Sequence, residues 1–322
     1  LERKQIVGVM LMAYGGPDSL DDVPAFMTNI TGGRQLPPHL IEDVRERYRL
    51  IGGKSPLLEL TWQQATALEQ TLNATRTPPE DIEFRTYVGM KHWHPFIKDT
   101  FRRVLADGVD RLVGIPMAPQ YSVMSGGTYV KQLQAAQAEL DGKAVVSYIE
   151  SWNDHPLLLQ AFAEKIQAAL FRFPPDVRPQ VQILFTAHSL PEHILDMHDP
   201  YPQELHETVA GILKLLGPVS WHFAYQSQGH TREKWLGPEV GAVLEALSQA
   251  GHQHVLLAPV GFICDHVEVL YDIDIMYKQQ AHKLGLHLAR TDSLNTSPRL
   301  IEALADIVRS HLEVVHVWPG RA

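Results

Sequence analysis

Two short segments carry residue types suited to proton or metal chemistry. Thr186-Ala187-His188-Ser189-Leu190-Pro191 places one histidine directly after an apolar run, and Cys264-Asp265-His266-Val267-Glu268-Val269-Leu270-Tyr271-Asp272 sets acids at 265, 268 and 272. Spacings of three and four bring helical side chains to one face, so these carboxylates could handle a divalent cation or a proton together. Neutral imidazole accepts a proton near pH 7 without a large pKa shift, which makes His188 the best base candidate in the chain. Both segments also have structural readings. Asp265 followed by Glu268 before an apolar helix is a capping-box pattern, which explains two of the three acids without chemistry, and leaves Asp272 unexplained. His188 could instead be a core histidine, with Ser189 and Pro191 opening the next element.

The elements that must position these residues follow from apolar periodicity. Buried strand runs fall near residues 6 to 14, 83 to 89, 110 to 116, 144 to 149, 181 to 187, 219 to 225, 254 to 260 and 286 to 290. Helical patterns cover 40 to 50, 57 to 73, 94 to 107, 129 to 140, 156 to 171, 203 to 215, 237 to 250, 266 to 284 and 298 to 313. This alternation predicts an α/β protein of two Rossmann-like domains, each a four-stranded parallel sheet flanked by helices, spanning 1–150 and 151–322. The last helix is expected to pack back onto the first domain. An eight-strand alternation could also close into a TIM barrel. Two open sheets are favoured because the first strand-to-strand connection runs about 70 residues, with a Pro/Gly-rich middle at Thr31 to Pro38 that suits a lip over a cleft. In open α/β sheets ligands bind beyond the carboxyl ends of strands, where most polar clusters of this chain lie.

Composition narrows the function classes. At 322 residues and 45% hydrophobic content the chain can bury a large core. A formal charge of −9 without a basic stripe argues against nucleic-acid binding. The single cysteine, Cys264, excludes a disulfide framework and an iron–sulfur cluster ligated by this chain, and makes a reducing cytoplasm the expected compartment. No apolar run reaches the length of about 18 residues that spans a bilayer, and Leu1 to Gln5 lack a signal-peptide layout, so a soluble protein is expected. The start at Leu1 reads as trimmed or processed. Tyr14-Gly15-Gly16-Pro17 lacks dinucleotide-loop spacing, and Gly52-Gly53-Lys54-Ser55-Pro56 reads as a turn rather than a phosphate loop. Lys91, His92 and His94 read as surface residues as readily as ligands.

Taken together, the strand-end loops resemble those of ferrochelatases, enzymes that insert ferrous iron into a porphyrin. The resemblance runs from about Val7 to the last helix. It rests on Met12-Ala13-Tyr14-Gly15-Gly16-Pro17, Ile51 to Leu57, Gly89-Met90-Lys91-His92, Glu150-Ser151-Trp152, Ala187 to Pro191, Asp199-Pro200-Tyr201, Tyr225-Gln226-Ser227, Trp235 to Pro238 and Pro259 through Asp272. Tyr14, the Gly-Met-Lys-His segment and the lack of a C-terminal cysteine cluster make it most similar to the Bacillus-type members, which act on coproporphyrin III.

That resemblance implies a macrocycle held between two Rossmann-like domains. It places His188 and Glu268 at the ring centre as the catalytic pair, with His188, Glu268, Asp272 and Tyr14 as the residues meeting iron. Tyr14, Ile30, Arg47, Ser55, Tyr129 and Trp235 are the implied substrate contacts, and Met10 is a further candidate for an apolar ring face. No tightly bound cofactor is implied; Fe2+ enters as a substrate. The expected partners are the porphyrin and ferrous iron, with room for an iron donor or another heme-pathway protein, and the expected state is a monomer. Two departures stand out: Arg34 is alone in a lip where relatives often pair arginines, and Met276 interrupts the acidic ladder past Asp272. Protoporphyrin IX as the substrate, or a non-catalytic tetrapyrrole or metal carrier, are the alternatives.

Overall fold

The computed structural model describes residues 4–74, 82–140, 143–229, 231 and 233–315. Among them, eight strands form two separate parallel sheets of four. The first joins β1 (Gln5–Ala13), β2 (Ile82–Met90), β3 (Arg111–Pro116) and β4 (Val145–Tyr148) in the order β2-β1-β3-β4. The second joins β5 (Gln182–His188), β6 (Trp221–Gln226), β7 (His254–Ala258) and β8 (His287–Arg290) in the order β6-β5-β7-β8. The continuous apolar character of β1 has a direct cause: every residue from Ile6 to Ala13 is buried, because helices cover both faces of its sheet. Two open sheets replace the barrel alternative.

The helices are α1 (Val23–Ile30), α2 (Pro38–Leu50), α3 (Leu57–Ala74), α4 (Ile97–Ala106), α5 (Gly126–Leu140), α6 (Pro156–Phe171), α7 (Tyr201–Leu216), α8 (Val240–Gln249), α9 (Val267–Leu270), α10 (Lys278–Lys283) and α11 (Pro298–Val314). α11 packs against α3 and α6. One apolar core runs through both sheets, joining Val9 and Leu11 of β1, Val113 of β3, Phe185 of β5, Leu256 of β7 and Leu304 of α11. Among the described residues no helix is long and apolar enough to cross a membrane.

Three local differences from the sequence pattern bear on function. The lip is helical on both sides of its Gly/Pro stretch: Val23 and Phe26 of α1 and Tyr48 of α2 form a small separate core with Trp93 from the segment after β2. Tyr129 lies in α5 one turn further from its start than the pattern predicts, because the helix opens at Gly126. The helix expected over 266 to 284 is not continuous; a π-helical stretch, Asp272–Tyr277, separates α9 from α10.

In each sheet the strand order reverses between its two central strands, β1 and β3 in one and β5 and β7 in the other. Crevices form at such switch points. β5 ends in His188, and the chain leaving β7 leads to Glu268, so the two residues flank the switch point of the second sheet.

Candidate active site

His188 ends β5 in register with Gln226 of β6. Its Nδ1 faces the carbonyl of Ser189, and the Tyr201 hydroxyl donates to the His188 carbonyl at 2.9 Å. With Nδ1–H donating to the Ser189 carbonyl, the hydrogen-bond pattern assigns Nε2 to the cleft. Nε2 lies 3.3 Å from Oε1 of Glu268, and the two side chains keep 30% and 31% of their exposure.

Glu268 occupies the first turn of α9 and is approached from a second side by His266, whose Nε2 lies 3.3 Å from Oε2. Gln226 fixes the turn: its Nε2 donates to the Glu268 carbonyl at 2.9 Å while its Oε1 accepts from Thr186 at 2.7 Å. Burial pushes the Glu268 carboxyl up, but the charge and hydrogen bond of His188, with His266, outweigh it and hold the carboxyl well below its usual range. The reciprocal effect acts on His188: burial disfavours the imidazolium, and the Glu268 carboxylate outweighs burial and raises its pKa. His188 and Glu268 form a close imidazole–carboxylate pair open to the cleft.

Asp272 opens the π-helical stretch one turn on, buried, accepting from Ser227 Oγ at 2.5 Å with Arg47 Nη1 at 3.9 Å from its other oxygen. Burial, reinforced by Glu268, lifts its carboxyl to about 6 despite the Ser227 hydrogen bond. Asp265 does not join these acids. Its carboxylate accepts from Ser293 and Asn295 and faces Arg290, and it makes no helix cap, since the cap position belongs to His266. Both the three-acid grouping and the capping-box reading therefore fail, because the chain between β7 and α9 turns Asp265 toward the β8–α11 loop. Among the described residues no three His, Cys, Asp or Glu side chains are grouped to hold a metal ion.

These groups lie in a cleft of about 540 Å³ between the two halves, in the size range of small-molecule sites. Tyr14, Ile30, Arg47, Ser55 and Tyr129 line its first-half side, and His188, Trp235, Glu268 and Asp272 its second-half side. All nine residues singled out in the sequence thus converge. Met10 does not: it is fully buried with Phe101 and Leu133, on a sheet face packed by α4 and α5. Arg34 and Met276 are exposed and are not part of the cleft lining.

The pattern underrated Lys91 and His92. Both line the cleft, with Lys91 Nζ 5.8 Å from the Tyr14 ring centre and 5.7 Å from that of Tyr129. Burial lowers the Lys91 pKa, and among the described residues no carboxylate pairs with it. The His92 ring lies tilted against Tyr14 with centroids 4.6 Å apart, and burial with the nearby Lys91 charge lowers its pKa to about 4, so it is neutral at pH 7. The signals in the sequence were their place after β2 and the Gly89-Met90-Lys91-His92 segment of the family resemblance, neither of which gave them a role.

Comparison with known proteins is consistent across the chain. The ferrochelatase family profile matches residues 6–312. A ferrochelatase of Herpetosiphon aurantiacus is 43% identical over 300 residues, covering 93% of this chain and 97% of that one. A coproporphyrin III ferrochelatase of Geobacillus kaustophilus is 40% identical over 306 residues, covering 95% and 96%. Among solved structures, SirB from Bacillus subtilis with Fe3+ shares the fold at a TM-score of 0.57 and 10% identity, with 94% of each chain covered. With the profile and these relatives spanning nearly its whole length, the chain belongs to the ferrochelatase family of metal-inserting enzymes.

Proposed function

We propose that this enzyme inserts ferrous iron into coproporphyrin III, yielding coproheme, with His188 and Glu268 as the catalytic pair. The observation that carries the reading is their 3.3 Å approach at the meeting of the two halves, with both side chains still accessible from the cleft.

Insertion of one divalent cation expels two pyrrole protons, so the site must supply acceptors for both. His188 takes the first at Nε2 and, once that proton has been handed outward, takes the second at the same atom. Glu268 stabilises the imidazolium that forms, and Asp272, with a carboxyl near 6, passes protons outward beside Ser227. Iron arrives on the side of these acids as a substrate rather than a resident group, shedding water as carboxylate and pyrrole nitrogens replace it. Tyr14 lies on the opposite face of the ring. A flat macrocycle hides its lone pairs in the plane, and binding energy gathered along the cleft walls supports the bending that exposes them.

Coproporphyrin carries a propionate on every pyrrole, whereas protoporphyrin IX has vinyl groups on half of them. Arg47, Ser55, Tyr129 and the unpaired Lys91 distribute positive charge and hydroxyl donors along the first-half wall, which suits the more highly charged ring. The name of the Geobacillus kaustophilus relative supports the same substrate. Protoporphyrin IX is the second reading, since the Herpetosiphon aurantiacus relative at 43% identity is named a ferrochelatase with no porphyrin specified.

Anaerobic insertion assays with Fe2+ and each porphyrin separate these readings. A higher kcat/KM for coproporphyrin III is expected. A preference for protoporphyrin IX transfers the assignment to the second reading, and binding of either ring without metallation would make the chain a carrier.

A further inference from the structure

We infer that the end of β8 and the loop leading from it to α11 form a brace that sets the position of the Glu268 turn, with Arg290 and Asn295 as its positioning residues. The inference rests on the proposed roles of Glu268 and Asp272. Between the end of β7 and His266 the chain has no regular structure of its own, so something else must fix where α9 begins. Asn295 supplies that fixation from a left-handed backbone, φ 45. Its N–H donates to the Ile263 carbonyl at 2.8 Å, its Oδ1 accepts from the Asp265 N–H at 2.9 Å, and its Nδ2 donates to Asp265 Oδ2 at 2.8 Å. Its own carbonyl accepts from Gln64 Nε2 of α3 at 2.7 Å, and the same amide reaches Cys264 Sγ at 2.9 Å. The first half of the molecule therefore grips the approach to Glu268 through Gln64 and Asn295.

Arg290 holds the far end. Its Nε and Nη2 donate to the two oxygens of Asp274 at 2.8 Å each, and its Nη1 faces Asp265 at 3.5 Å. Such a planar two-point pair fixes direction as well as distance. Asp265 and Asp274 thus bracket Glu268 and Asp272, and they are fastened to the end of β8 and the loop that follows it. Arg290, Asn295 and Asp274 do not line the cleft, so they act on the acids only through the backbone they hold.

Displacement of a reacting group by about 1 Å costs on the order of 100-fold in rate. Asn295→Ala should accordingly lower kcat for iron insertion about 100-fold, with the porphyrin KM and dissociation constant unchanged. The exchange Asp265→Asn with Asn295→Asp keeps the acceptor for the 265 N–H and reverses the side-chain bond between them. It should restore kcat to within about threefold of the original enzyme, since coupled neighbours compensate where independent sites do not. Unaltered kcat in Asn295→Ala, or an exchange variant that binds porphyrin normally but inserts no better than Asn295→Ala, overturns the brace. Should Asn295→Ala fail to fold, the exchange variant decides alone, and lack of insertion in it overturns the inference. Glu268→Gln run in parallel separates the two failures: normal insertion in that variant removes the premise about Glu268, whereas a crippled Glu268→Gln beside a normal Asn295→Ala removes only the brace.

Discussion

The Ser227 hydroxyl donates a 2.5 Å hydrogen bond to the Asp272 carboxylate, and it does so from a left-handed backbone, φ 59. That single bond does not offset the burial of the acid, whose carboxyl rises from 3.8 to about 6. A raised carboxyl pKa in the folded state means that ionisation opposes folding: the cost is absent below 3.8, grows as pH rises and is complete above about 6. Asp272→Asn keeps an acceptor for Ser227 and removes the charge. It should stabilise the protein by up to about 3 kcal/mol at pH 7.5 and by almost nothing near pH 4. Urea unfolding at the two pH values checks this, and a gain equal at both contradicts it.

His188→Ala should leave porphyrin binding nearly intact while insertion falls about 100- to 10,000-fold, because the lost group moves protons and does not hold the ring. Absorbance titration and anaerobic turnover measure the two quantities separately. Turnover close to that of the original enzyme removes His188 from the proposed mechanism.

Glu268→Gln bears on pH dependence. If His188 acts as the base, activity declines as pH falls through its folded pKa, which the Glu268 carboxylate raises against the effect of burial. Removing that charge leaves burial to dominate, so the acid limb of kcat/KM should move to lower pH while the plateau drops. A limb that stays in place would show that another group sets it.

Gly261→Ala probes the junction of the two central strands of the second sheet. A Cβ at Gly261 would lie 2.5 Å from the Ala187 Cβ and 2.7 Å from its Cα, and backbone cannot swing aside as a side chain can. Relief requires shifting the end of β5, which carries His188. The expected result is a stability loss of about 1–3 kcal/mol together with lower kcat. Normal kcat in the purified variant would show that the His188 position tolerates the shift.

Strand positions were legible because both faces of each sheet are covered, which leaves runs such as Ile6 to Ala13 apolar without interruption. His188 was legible for a related reason, as a polar residue that breaks such a run at its carboxyl end, whereas Glu268, which also fitted a capping pattern, was singled out by the family resemblance. The same two-sided burial hid the fate of Met10, since a strand whose every residue is buried says nothing about which face meets a ligand. α1 escaped the pattern because Pro24, Thr28 and Asn29 interrupt its short apolar repeat. The partners of Asp265 were invisible for another reason. A local capping rule reads neighbours along the chain, whereas Ser293 and Asn295 return from the far side of β8. Lys91 could not be ranked above an ordinary surface cation until Tyr14 and Tyr129 were seen on either side of it.

Because the same apolar mass that contains Val9, Val113, Phe185 and Leu256 also includes Leu304 of α11, prying the halves apart would expose it to water. The jaws beneath the guest are in effect welded at the root. The upper lip rests on a separate patch of Phe26, Tyr48 and Trp93. A guest that enters the cleft therefore meets walls that share one core, so moving one half relative to the other disturbs the packing of both.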